Sequence, residues 1–67
     1  MTQKEAYAMR FVLDMRPNAF CRKCAGSKPT IFNGDGKGQA RVLGTGETAG
    51  KAWLDAEQRL RAHLEQL

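Results

Sequence analysis

At 67 residues the chain has room for one domain, and a domain this small buries only roughly 60% of the surface its unfolded form exposes, so its core is thin. A hydrophobic content of 42% and a charged content of 27% are ordinary for a globular protein and argue against disorder. The net charge of +4 is concentrated: residues 16–41 hold Arg16, Arg22, Lys23, Lys28, Lys37 and Arg41 against Asp35 alone, which makes +5, while residues 1–15 sum to zero and residues 42–67 to −1.

That imbalance favours an anionic partner at the middle of the chain. No apolar run approaches the roughly 20 residues needed to cross a bilayer. Arg10 and Asp14 interrupt the first apolar stretch and no cleavage pattern follows, so a signal peptide is not expected and the default expectation is a cytoplasmic protein.

The first element is predicted to be a helix over about 2–15. Thr2 followed by Glu5 fits a capping box, in which each side chain satisfies a backbone N–H at the other's position. Ala8, Met9, Phe11, Val12, Leu13 and Met15 fall on one arc at 100° per residue, with Gln3, Arg10 and Asp14 opposite. Pro17 ends the helix, because the residue before a proline disfavours helical torsions.

Three short strands follow, over about 18–24, 29–32 and 39–43. The first carries Phe20 and both cysteines, the second the β-branched Thr30 and Ile31, and the third alternates Ala40 and Val42 with Arg41 and Leu43. Ala25-Gly26-Ser27 marks the first turn, and Asn33-Gly34 with Asp35-Gly36 the second.

The last helix is predicted over about 48–66, with Thr48 as its N-cap. Ala49, Ala52, Trp53, Ala56, Leu60, Leu64 and Leu67 recur on one stripe, and Trp53 is the largest candidate for the core. Asp55–Arg59 and Glu57–Arg61 are i,i+4 acid-then-base pairs. Leu54 lies on the polar side, either as an exposed leucine or as part of a dimer contact, and His63 lies inside the apolar stripe, where packing is its expected role.

The expected fold is therefore α+β in the order α-β-β-β-α, a three-stranded antiparallel meander with both helices packed on one face. The opposite face is expected to be solvated and to carry much of the basic charge.

Several motifs suggest chemistry and lose it on inspection of spacing. Cys21 and Cys24 stand two residues apart, as in a zinc knuckle, but a tetrahedral site needs four ligands and the chain has no third cysteine and one histidine, His63. A metal site is therefore not assigned, and a four-thiolate site shared between two chains is the remaining zinc reading. Gly44 to Ala52 fails as a phosphate loop: Gly44 leaves five residues before Gly50-Lys51 and Gly46 leaves three, where four are required, and Ala52 offers no hydroxyl for magnesium. What is left is a glycine-rich turn into a helix N-terminus, a place that attracts phosphate oxygens, or else a tight strand-to-helix connection. Asn33 to Gly38 fails as a calcium loop, because Lys37 occupies a ligand position and Gly44 stands where the bidentate carboxylate belongs. No acid–base or nucleophile–base pair emerges, so neither an enzyme nor a cofactor is expected.

The element order, together with the strand Gln39–Leu43, the Gly44–Gly46 turn and the alanine-rich helix after it, resembles the double-stranded RNA-binding domain fold. In that family the second helix opens with a lysine cluster that grips phosphates; here the matching stretch offers Lys51, flanked by Glu47 and Asp55. Val42-Leu43-Gly44-Thr45-Gly46-Glu47-Thr48, with Ala52-Trp53 and Ala56 beyond it, is similar to the ending of many small uncharacterised phage and prophage proteins. That resemblance covers the last third of the chain and implies a source rather than an activity.

The leading expectation is a non-enzymatic accessory protein that binds a macromolecule, with Arg22, Lys23, Lys28, Lys37, Arg41 and Lys51 as the residues that would meet nucleic acid or another anionic partner. The alternatives are a module that inhibits or redirects a host protein, and a homodimer linked by zinc at Cys21 and Cys24. No membrane partner is expected, and the chain is expected to be a monomer or a weak homodimer.

Overall fold

The structure is a computed structural model, and it describes residues 1–23, 25–34 and 38–65, with the side chain of Glu65 excepted. The elements run α1 (Gln3–Met15), β1 (Ala19–Arg22), β2 (Thr30–Gly34), β3 (Ala40–Thr45) and α2 (Ala49–Glu65). The strands form one antiparallel sheet in the order β1-β2-β3, as the α+β meander requires. Both helices lie on one side of it.

Each helix begins as its cap residues dictate. Thr2 Oγ1 accepts from the Glu5 N–H at 3.2 Å, and the Glu5 carboxylate accepts from the Thr2 N–H at 2.8 Å, closing the capping box. Thr48 Oγ1 accepts from the Lys51 N–H at 3.2 Å at the head of α2. At its other end α1 stops at Met15, and Arg16 leaves the helical torsions (φ −136°, ψ 84°) ahead of Pro17.

The core lies between the helices and the sheet. It consists of Ala8 and Val12 from α1, Ala19 and Ile31 from the sheet, and Ala52, Trp53, Ala56 and Leu60 from α2. Met9, Phe11, Leu13, Met15, Leu43 and Leu54 pack around it. Half of the buried set is alanine, so most of the packed volume comes from Val12, Ile31, Trp53 and Leu60. Across the helix pair the Arg61 guanidinium sits 4.1 Å from the centre of the Phe11 ring.

Glycine allows α2 to approach β3 closely. A Cβ on Gly44 would collide with the backbone of Ala56 and lie 2.9 Å from the Ala52 carbonyl oxygen; one on Gly46 would lie 2.6 Å from the Ala52 nitrogen. Neither glycine has positive φ. These two glycines are therefore needed for lack of space and not for torsional freedom. Across this seam the Thr45 N–H donates to Asp55 Oδ2 at 2.9 Å, and the same carboxylate oxygen pairs with Arg59 Nε at 3.1 Å.

Four local expectations are corrected. Asn33 and Gly34, taken as turn residues, extend β2, because Asn33 pairs with both Ala19 and Arg41 and Gly34 pairs with Ala40. Gly44 and Thr45 likewise belong to β3 rather than to a turn. Leu54 is half-buried against the core, which removes the choice between an exposed leucine and a dimer contact. His63 is exposed, with the exposed Leu64 beside it, so the last turn of α2 does not pack as the apolar stripe predicts.

Candidate functional site

Register decides which side chains share a face, because directly opposed residues of an antiparallel pair project to the same side. Phe20 opposes Phe32, and Phe32 opposes Val42. Cys21 opposes Ile31, and Ile31 opposes Gly44. The Ile31–Gly44 row faces α2, where Ile31 is fully buried. The Phe20–Phe32–Val42 row therefore faces away from both helices.

A β-bulge keeps these two rows in step. The register shifts between Ile31 and Phe32, whose partners are Gly44 and Val42, so Leu43 is the extra residue on β3. Leu43 packs against the core and Gly44 is buried, so two successive residues turn inward while Val42 stays outside.

The outward row is apolar and accessible. Phe20 is 41% exposed and Val42 52% exposed. The Phe20 and Phe32 rings stack with centroids 5.6 Å apart at an interplanar angle of 27°. Arg22 stands two residues beyond Phe20 on the same face of β1, opposite Thr30. Alternation also places Ala40 on this face, and Thr45 opposes Thr30 there.

The six predicted cations are not gathered on this face. Arg22 is on it. Lys23 follows the end of β1 and is exposed. Lys28, in the β1–β2 connection, pairs with Glu47 at 2.7 Å. The Glu47 carboxylate raises the pKa of Lys28 above its ordinary value, chiefly by hydrogen bonding, and the same bond lowers that of Glu47. Arg41 is exposed on edge strand β3, opposite Asn33, with Gln39 and Ala40 beside it around a shallow cleft. Lys51 lies in the first turn of α2, away from the sheet's open side. Lys37 lies outside the described residues. Among the described residues, Arg22, Lys23 and Arg41 enter no salt bridge and Lys28 does.

The head of α2 is already supplied with negative charge. The Glu5 carboxylate rests against Gly50, where an added Cβ would meet it, and Glu47 lies just before the helix. A carboxylate there satisfies the positive end of the helix dipole. The phosphate-attracting reading of the Gly44–Lys51 stretch therefore competes with two of the chain's own anions. Cys21 is exposed on edge strand β1, and Cys24 lies outside the described residues. Among the described residues, no three His, Cys, Asp or Glu side chains gather at one point.

Charge counting overlooks the aromatic pair, yet the sequence contains the signal for it. A turn centred on Gly26, which has φ of +79°, places residues whose numbers sum to 52 opposite one another, and Phe20 with Phe32 is such a pair. Comparison with family models, with curated proteins and with solved structures gives no match.

Proposed function

We propose that this chain is a non-enzymatic accessory protein, phage-derived on the resemblance of its last third, that binds nucleic acid through the open face of its sheet. The observation that carries the reading is the Phe20–Phe32–Val42 row, exposed on the side no helix covers and adjoined by Arg22. Apolar side chains gain by burial, and a chain of net charge +4 whose excess lies in residues 16–41 favours an anionic surface to bury them against. Arg22 and Lys23 have no ion-pair partner to give up among the described residues, so they are the first cations to meet phosphates. Arg41 is likewise without a salt bridge among the described residues, but it opposes Asn33 and so alternates to the other side of edge strand β3, and it reaches the same partner only around that edge. Lys28 must first leave Glu47. Lys37 and Lys51 belong to the same reading, Lys51 in a minor role because Glu5 and Glu47 stand close to it.

Phosphate contacts release counterions, so affinity falls as salt rises, by roughly 0.7 to 0.9 logarithmic units per contact for each tenfold increase. The two contacts from Arg22 and Lys23 predict a slope of about −1.5. Anisotropy titrations of short labelled DNA and RNA at two salt concentrations test this. Binding with that slope, weakened in an Arg22→Gln, Lys23→Gln double variant, is the expected result. Absence of binding at low salt overturns the reading.

A host protein with an acidic surface around an apolar patch is the second reading, favoured by the same exposed row. Capture of partners from host lysate before and after nuclease treatment separates the two: partners that survive nuclease support it.

A further inference from the structure

We infer that the nucleic acid is single-stranded and that one base stacks on Phe20, an inference that rests on the nucleic-acid reading above and specifies its ligand. β1 is an edge strand, so among the described residues the Phe20–Phe32 stack ends at Phe20 with no strand beyond it. One ring face is turned to Phe32, and among the described residues of the sheet the other has no aromatic neighbour, which agrees with the 41% exposure of Phe20. A third flat ring placed there extends an existing stack. Paired bases in a duplex present no free ring face along the helix, whereas the bases of a single strand do.

Arg22 supplies the second part of the geometry. It lies on the same face as Phe20, two residues along β1, a separation of roughly 7 Å. A base on Phe20 then leaves its own or the adjoining phosphate within the span of the Arg22 side chain, and Lys23 continues the cationic line past the end of the strand. Thr30, opposite Arg22, adds a hydroxyl to a face otherwise built from apolar groups, although its Oγ1 also donates to the Lys28 carbonyl at 3.0 Å. None of these groups distinguishes DNA from RNA, so the ligand is defined as a single strand of either.

The test is fluorescence anisotropy with four labelled probes of equal length: single-stranded DNA, single-stranded RNA, an abasic deoxyribose-phosphate oligomer, and a DNA duplex. Wild type, Phe20→Ala and Phe20→Tyr are compared, with thermal melts by circular dichroism to confirm that each variant folds. The expected result is tighter binding of base-bearing single strands than of the abasic oligomer, by about tenfold, the scale of one base–aromatic stack. Phe20→Ala removes that difference, while Phe20→Tyr retains it.

Equal affinity for abasic and base-bearing strands, or a preference for duplex, overturns the inference while leaving nucleic-acid binding intact. Failure of all four probes to bind at low salt overturns both. Light scattering provides a further arm: a wild-type dimer that Phe20→Ala turns into a monomer assigns this face to a second copy and contradicts the inference.

Discussion

Phe20 stands at the open end of a two-ring stack, and Lys28, a few residues on, is held by Glu47. These two residues differ in what they offer a partner, although charge alone would rank Lys28 higher. Replacing Glu47 with Gln removes one negative charge and frees Lys28. The expected outcome is tighter binding of single strands and a steeper salt slope, by up to one further contact's worth, read by anisotropy. The same pair gives a pH prediction. The folded-state pKa of Glu47 is depressed, so the pair's stabilising effect is present above the ordinary carboxylate value of 4.5 and is lost as pH falls through the lower folded value. Lys28→Gln should therefore move the Glu47 side-chain titration, followed by NMR, upward to the ordinary range. Because both side chains are exposed, the pair's effect on global stability should be too small to shift a melting curve.

At the scale of elements, the seam between β3 and α2 is the most sensitive place in the fold. Gly44→Ala drives a methyl group into the backbone of α2 at Ala56, which the helix cannot relieve by turning a side chain. Overpacking of this kind costs about 1–3 kcal/mol. Gly26, by contrast, has positive φ but open space around it, so Gly26→Ala bears only torsional strain of about 1 kcal/mol. Urea denaturation should rank Gly44→Ala as the more destabilising; the opposite order would refute the close-approach account. Much of this level was legible in sequence. The capping box, the Thr48 cap, the Pro17 stop and the i,i+4 pairs depend on neighbours along the chain, and all form as their spacing predicts. The bulge at Leu43, the strand role of Asn33 and Gly34, and the Asp55 bond to Thr45 depend on contacts between distant segments. Local propensity carries no record of these, and at Asn33, Gly34, Gly44 and Thr45 strand pairing overrode the turn signal.

At the scale of the whole molecule, a chain of 67 residues holds a net stability of roughly 3–10 kcal/mol. With alanine making up half of the buried set, each large core side chain carries an unusual share of it. Ile31→Ala empties a fully buried site in the central strand and should cost about 2–5 kcal/mol, read as a lowered urea midpoint by circular dichroism. The two helices cover one side of the sheet only, and the expectation of a charged face on the other is replaced by an apolar row with Arg22 beside it. Composition located the cationic segment of the chain, but only strand register could show that Phe20, Phe32 and Val42 share the open side. The most direct measurement of that face's role is an NMR titration of isotope-labelled protein with a short single-stranded oligonucleotide at low salt. Shifts clustered on Phe20, Arg22, Phe32 and Val42, diminishing as salt is raised, are predicted; shifts confined to the exposed sides of α1 and α2, or none at all, would contradict it.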